Sequence, residues 1–595
     1  MPRLSVWAPQ AREVTVVLGG PDDGGERAAY PMERGADGVW SRDVEAVEPL
    51  DYAFRVDGGE PTPDPRSAWQ PHGVHGPSRW VDIESFSWTD TNWAGPQGGS
   101  GILGAVHYEL HVGTFTPEGT LDAAIDRLGA LVELGVDVVA LMPVAAFPGR
   151  WGWGYDGVFP YAVHDGYGGP AALARFVDAC HARGLGVSLD VVYNHLGPVG
   201  NYLARFGPYF TDRHHTPWGQ AIDLDGPDAA HVRRFVIDSA LRWLRDFHLD
   251  ALRLDAVHEM HDDSERHLLA ELSDEVACLA TTLGRPLGLV AESDLNDPRM
   301  VTSTAEGGLG MTAQWADDVH HALHAALTGE SQGYYADFAE VGALAQTLTG
   351  VFLHDGRWST FRGREWGAPV ATARIDGRRF LGYLQTHDQV GNRAAGDRIH
   401  DGLTPGRQAA GAALYLLWAG TPMIFMGEEW AASTPWQFFT DFDPADPIAD
   451  AVRDGRRAEF AAHGWDAAHV PDPQDPATRE SSVLRWEERE APCHARMLDF
   501  YRALVAIRRA EPDLRDGRLD LVRVRHDDDE LVLRRGCIAV VVNLAERSQT
   551  VGLEGAEGAG LLLAWHPEST VLEADGVRLG PHGSAVLRMS STADG

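Results

Sequence analysis

The sequence predicts a multidomain chain in which a central TIM (β/α)8 barrel is flanked by an N-terminal and a C-terminal β-sandwich. Three observations predict it. Across the middle of the chain, eight short apolar runs alternate with amphipathic helical runs, the pattern of parallel βα units. Both ends carry short β-rich runs parted by Gly, Pro and Asp clusters. Several of the middle runs close on a carboxylate, and a barrel gathers its functional groups at the C-terminal ends of its strands.

In order, VTVVLG, GVWSRDV and YAFRVDG supply strands of the first sandwich. The Pro-rich PTPDPRSAWQPHGVHGPS and the linker TNWAGPQGGSG then close it, giving a domain over residues 1–98. AVHYELHVG is the first barrel strand. LDAAIDRLGALVELG is one amphipathic helix that ends on Gly135. VDVVALMPV, AALARFVDACHARG and LGVSLDVVYNH continue the alternation, and HVRRFVIDSALRWLRDF leads into a fourth strand within 250–258. PLGLVAE, GMTAQWADD, RFLGYLQTHD and PMIFMGEE complete the eight. The uncharged run from Ala409 to Gly427 approaches membrane-spanning length, but Gly420-Thr-Pro422 breaks it into a buried helix and a buried strand. A helix over 494–514 closes the barrel domain, 99–514. LDLVRVR, LVLRRG, IAVVVNL, GLLLAW and SAVLRM are strands of the last domain, 515–595.

Composition excludes several functions. A formal charge of −37 argues against nucleic acid or an anionic membrane as partner. All 50 Lys+Arg positions are Arg, which excludes Schiff-base chemistry and a P-loop lysine. Cys180, Cys278, Cys493 and Cys537 are scattered, so neither a zinc site nor a disulfide framework is expected. With no apolar signal-peptide core at the N-terminus, these thiols fit a cytoplasmic protein. A monomer or a homodimer is expected.

The chemistry centres on Asp250-Ala-Leu-Arg-Leu-Asp-Ala-Val-His258. Side chains alternate faces along a strand, so Arg253 and Asp255 point the same way. The Arg is expected to hold the Asp255 pKa down and keep it ionised. For this strand alone, a satisfied buried ion pair reads equally well. Strand three, however, ends in Asp190 and then Asn194-His195. Strand five runs straight into Glu292, and strand seven ends in His387-Asp388. An ionised Asp255 beside a desolvated Glu292 fits glycoside hydrolysis with retention, the first as nucleophile and the second as acid.

DVVYNH, ALRLDAVH, VAES and LQTHD, in this order, resemble the four characteristic regions of the α-amylase family, glycoside hydrolase family 13. The resemblance implies Asp255 as nucleophile, Glu292 as acid/base and Asp388 as a third carboxylate that binds sugar hydroxyls. Arg253, His195 and His387 would line the central sugar subsite. VHYELHVGTFTPEGT, WGYDGVFPYAVHDGYGGP, FGPYFTDRHHTPWG and FMGEEWAASTPWQFFTD are similar to the malto-oligosyltrehalose trehalohydrolases of that family, over nearly the whole chain. Their reaction is hydrolysis of the α-1,4 bond joining a terminal trehalose to a maltooligosaccharide. Tyr155 would stack on the scissile sugar, with Asp156 beside it.

His258, Glu259 and His261 follow the nucleophile strand, and Gln389, Asn392 and Arg393 follow the third carboxylate. Both sets are expected to meet the leaving sugars and select trehalose, the weaker reading of each residue being an ordinary one on a solvated rim. Trp151, Trp153, Trp218, Trp436 and Phe438 stand in loops after strands, where they either stack on sugars or fill the core. Many α-amylases bind calcium through a long domain after strand three and the Asn of YNH. Here only Leu196 to about Asp228 fills that place, so Asn194 is expected to be a hydrogen-bonding residue, with no metal or other cofactor required. Two rivals stay open: a glycogen branching enzyme of the same family, which passes its intermediate to a sugar hydroxyl, and a non-catalytic glucan-binding scaffold. The second predicts a missing carboxylate.

Overall fold

The structure is a computed structural model that describes the chain apart from residues 21–24, 46–48, 341, 463–469, 528 and 591–595. Eight parallel strands close a barrel: His107–Leu110, Val138–Leu141, Gly186–Val191, Ala251–Leu254, Gly288–Ala291, Ala313–Trp315, Phe380–Tyr383 and Thr421–Phe425, one to eight in chain order. The first seven lie within the runs expected from the sequence, and the eighth begins one residue before its run, at Thr421. Every residue of strands three to five is buried, and the polar members of these apolar runs, Ser188, Asp190 and Arg253, lie on strands three and four.

The helices follow the expected runs with two corrections. The helix expected over 494–514 is Pro492–Ala510, stopped by Pro512 and followed by a 3-10 turn over Pro512–Arg515. The stretch 121–135 is two helices, Leu121–Ile125 and Leu128–Leu134. Between them Asp126 N–H bonds to Ala123 O and Arg127 N–H to Ala124 O, turns one residue too tight for an α-helix. The apolar run from Ala409 falls as expected into helix Pro405–Leu416 and strand eight. Among the described residues no helix is long and apolar enough to cross a membrane, and all four cysteines are free.

The N-terminal sandwich pairs a three-stranded sheet (Arg3–Trp7, Val39–Asp43, Glu33–Arg34) with a four-stranded one (Ala28–Pro31, Val14–Leu18, Asp51–Val56, Ser78–Arg79). The C-terminal region has a five-stranded sheet and a three-stranded one. Of LDLVRVR only the last three residues lie in a strand, Arg523–His526; Leu519–Leu521 is a 3-10 turn, closed by Val522 N–H to Leu519 O at 3.0 Å. Gln549–Gly552, Val571–Glu573 and Gly576–Leu579 build the smaller sheet, and the sequence reading passed over all three because they are short and carry polar residues.

One apolar core runs from the first sandwich through the barrel into the last domain. Trp7 stacks on His231 at 4.8 Å and meets Tyr209 edge-on at 5.2 Å. His231 lies on helix Ala229–Asp246, which leads into strand four, so the sandwich braces the element that delivers Asp255.

Candidate active site

Register brings the carboxylates together. Strands three and four pair with Asp190 opposite Arg253, and strands four and five with Leu254 opposite Ala291. One step further along, Asp255 N–H bonds to Val191 O (3.0 Å) and Glu292 N–H to Leu254 O (3.1 Å), which sets Asp255 and Glu292 side by side. Ala256 then turns with φ +36°, a left-handed conformation rare for a residue with a Cβ. The turn aims Ala256 N–H at Glu292 Oε2, at 2.7 Å. Strain of this kind persists only where the surroundings hold it, and here it orients the second carboxyl.

Arg253 ties the group together. Its Nη1 donates to Asp190 Oδ2 (2.6 Å) and Asp255 Oδ1 (2.8 Å), and its Nη2 lies 2.8 Å from Glu292 Oε2. Its guanidinium sits over Trp315 at 4.3 Å. A chain of hydrogen bonds continues from Asp190: Tyr155 Oη donates to Asp190 Oδ2 (2.7 Å), His387 Nε2 meets Tyr155 Oη (2.7 Å), and His387 Nδ1 meets Glu109 Oε1 (2.7 Å). His387 also lies 3.4 Å from Asp388 Oδ1. Burial works against the charged imidazole, but Asp388 and Glu109 raise its pKa to about 9, so both ring nitrogens carry hydrogen and donate.

The expectation that Arg253 depresses Asp255 is corrected. Burial raises Asp255 to about 6 against the pull of Arg253, with Asp190 and Asp388 adding to the rise. Burial also lifts Glu292, to about 8, opposed by Arg253 and reinforced by Asp255 and Asp388. Desolvation of a carboxylate outweighs one guanidinium shared among three acids. The order of the two still separates a base-like group from an acid-like one.

His195 Nε2 donates to Tyr155 O at 2.9 Å, tying the loop after strand three to the loop after strand two. Burial lowers His195 to about 4, so the ring is neutral, and Trp218 stacks on it at 4.3 Å with its outer face in solvent. Asp156, half-buried beside Tyr155, is raised to about 6 by burial. Asn194 is buried and, contrary to the expectation of hydrogen bonding, neither of its side-chain polar atoms has a hydrogen-bond partner among the described residues. Trp153 and Trp436 are core, stacked on one another at 5.5 Å.

A cleft of about 910 Å³ opens beside the carboxylates, lined by Glu292, Asp388, Gln389, Asn392 and Arg393 among others. Thr386 Oγ1 donates to Gln389 Oε1, Asn392 Nδ2 lies 3.4 Å from Asp388 Oδ1, and Arg393 pairs with Glu330 (3.1 Å) and Asp397 (2.5 Å). His258 and Glu259 are not among the lining residues. His258 Nε2 stands 4.0 Å from Asp294, which is, and Glu259 pairs with His261 at 3.4 Å. Sequence reasoning gave no role to Glu109, Trp315 or Asp317. The signal was available for the last: strand six, like three, four, five and seven, runs into a carboxylate. His214 and Asp225, after strand three, cluster with Asp263, after strand four, at metal-like spacing, but Arg213 donates to Asp225 Oδ1 at 2.5 Å and His214 Nε2 meets Asp225 Oδ2 at 3.0 Å, so side chains already engage both oxygens of that carboxylate.

Residues 83–218 match the family profile described as Alpha amylase, catalytic domain, and residues 2–70 match Carbohydrate-binding module 48 (Isoamylase N-terminal domain). A malto-oligosyltrehalose trehalohydrolase of Arthrobacter ramosus is 51% identical, with 99% of each chain covered. The chain belongs to the malto-oligosyltrehalose trehalohydrolase family. It is a glycoside hydrolase, built on the α-amylase barrel. A family member from Mycobacterium tuberculosis is 48% identical over the full length of both chains. A crystal structure from Salmonella typhimurium assigned to the alpha amylases superposes with a TM-score of 0.88 at 38% identity, covering 99% of this chain and 97% of that one. A 1,4-alpha-glucan branching enzyme of Bacillus caldolyticus is 28% identical over 74% of this chain and 66% of its own, which favours the trehalohydrolase family over the branching-enzyme rival.

Proposed function

We propose that this chain hydrolyses the α-1,4 bond next to the terminal trehalose of malto-oligosyltrehalose, with retention, releasing trehalose and a maltooligosaccharide. The observation that carries the reading is Arg253 within 2.8 Å of both Asp255 and Glu292, two carboxyls whose pKa values differ. The trehalose side of the reading rests on likeness to the family along the whole chain. Asp255 Oδ1 is engaged by Arg253, so Oδ2 attacks the anomeric carbon. Glu292 Oε2 is engaged by Ala256 N–H, so Oε1 carries the proton given to the leaving oxygen. As the Asp255–anomeric carbon bond forms, the bond to the leaving oxygen breaks, so trehalose departs and a glycosyl–Asp255 ester remains. Glu292 then takes a proton from water, whose oxygen breaks the ester and restores both groups. Asp388, Tyr155, His195 and His387 hold the sugar at the cleavage point, while Gln389, Asn392 and Arg393 face the leaving side. We also take residues 1–98, 99–514 and 515–595 as the domains and the cytoplasm as the setting.

Product analysis on malto-oligosyltrehalose beside the matching maltooligosaccharide tests this. The trehalosyl substrate should win by at least about tenfold in kcat/KM, about 1.4 kcal/mol of transition-state preference, with trehalose as the small product. Equal rates would make the chain a general amylase. Transfer without new reducing ends would make it a branching enzyme.

A further inference from the structure

Strand six ends near a carboxyl to which the mechanism above gives no role. Asp317 opens helix Asp317–Thr328 and lines the cleft with Glu292 and Asp388. Its Oδ1 accepts a hydrogen bond from Tyr383 Oη–H, at the end of strand seven. Among the described residues its other oxygen has no hydrogen-bond partner, and no Arg or His pairs with it. The wall it shares belongs to Glu292, which protonates the leaving oxygen, while Tyr155, His195 and Asp255 do not line this cleft. Asp317 therefore stands on the leaving side.

Its surroundings disfavour a negative charge. Glu292 and Asp388 face it, Asp318 follows it, and Tyr383 and Tyr334 are its other titratable neighbours. The cleft's cations are engaged elsewhere: Arg362 with Asp294 at 2.8 Å, Arg393 with Glu330 and Asp397. His321 offers no charge, since burial lowers it to about 3. Burial raises Asp317 to about 7; the bond from Tyr383 opposes this, and Glu292 and Asp388 add to it.

We propose that Asp317 is a specificity residue that binds the leaving sugar as an un-ionised carboxyl, accepting from Tyr383 at Oδ1 and donating its own hydrogen from Oδ2 to a sugar hydroxyl. The inference rests on the trehalose-releasing reading above. A neutral acid is the form of Asp317 that offers a donor to the substrate, and it adds no charge beside Glu292. Trehalose presents hydroxyls to this wall, whereas an aryl leaving group presents none, so the contact discriminates between leaving groups.

Kinetics of the wild type, Asp317→Asn and Asp317→Ala on malto-oligosyltrehalose and on a 4-nitrophenyl maltooligoside provide the test. Asp317→Ala should raise KM for malto-oligosyltrehalose, and its loss in kcat/KM there should exceed its loss on the aryl substrate by about tenfold, the effect of one lost buried hydrogen bond. Asp317→Asn keeps an acceptor and a donor of the same shape, so it should hold the wild-type KM below pH 7. The wild-type KM should rise as pH passes about 7 and Asp317 loses its proton, and Asp317→Asn should abolish that rise. Equal losses on both substrates would make Asp317 structural and overturn the proposal. Damage in Asp317→Asn matching that in Asp317→Ala would overturn the un-ionised form. Should Asp317→Ala fail to fold, the infrared difference spectrum of wild type minus Asp317→Asn below pH 7 decides: a protonated carboxyl band supports the proposal and a carboxylate band refutes it. If the wild type itself has no preference for malto-oligosyltrehalose, the reading of the function falls. If the preference exists and survives in Asp317→Ala, only this inference falls.

Discussion

At the scale of residues, Arg253 serves three acids at once, and none of them receives a full counter-charge. Burial prevails over that shared charge and raises both Asp255 and Glu292 above the ordinary carboxyl range, and their order assigns their roles. Asp255 must be ionised to attack, so turnover should fall as pH drops through about 6. Glu292 must be protonated to deliver its hydrogen, so turnover should fall again as pH rises through about 8. The profile should be a bell between those limits, and Glu292→Gln should flatten its alkaline limb. The same variant should lose far more on malto-oligosyltrehalose than on an aryl glycoside whose leaving group needs no proton. Equal losses would make Glu292 structural. Asp255→Asn removes the attacking oxygen's charge while keeping its shape, and kcat should drop at least about a thousandfold in a protein that still folds. Near-normal turnover in a clean preparation would remove Asp255 from the mechanism.

At the scale of elements, the end of helix Pro405–Leu416 depends on two arginines from elsewhere in the chain. Arg508 donates to Leu416 O and Trp418 O, both at 2.8 Å, and to Gly420 O at 2.6 Å. Arg535, on strand Glu530–Arg535, donates to Leu417 O (3.0 Å) and Trp418 O (2.8 Å). A helix leaves its last carbonyls without intrahelical donors, and here they are buried, so water does not replace the guanidinium groups. Arg508→Met should cost about 2 kcal/mol, roughly one each for Leu416 O and Gly420 O, while Trp418 O keeps its donor on Arg535. Denaturant titration checks it, and a loss below about 1 kcal/mol would mean the carbonyls find other partners.

At the scale of the whole molecule, the first sandwich is part of the barrel's support. Besides Trp7 on His231, Phe54 meets Phe206, and Arg66 pairs with Asp238 at 2.9 Å while covering Tyr161 and Phe235. A chain beginning at residue 99 would expose Phe206, Tyr209 and Phe235 to water, and an apolar patch of that kind drives aggregation. Such a chain should be insoluble or poorly folded; a soluble, monodisperse and fully active one would show that the barrel stands alone.

The barrel was legible because eight apolar runs with helices between them leave few other ways to bury that surface. Period-2 alternation placed Arg253 on the face of Asp255, and strand ends placed Glu292 and Asp388. The sequence by itself also decided the family, since its motifs span the chain. It missed the break at Asp126-Arg127 because the apolar spacing continues across two tight turns without interruption. Cross-strand register was beyond it. Asp190 opposite Arg253, Glu109 behind His387 and Tyr383 against Asp317 each join residues far apart in the chain, through contacts that exist only when the barrel closes. Burial was beyond it as well. From the sequence, an Arg two residues from an Asp depresses its pKa. Only the tertiary structure decides that the pair sits in a dry strand end shared with other acids, where desolvation outweighs the attraction and the sign reverses.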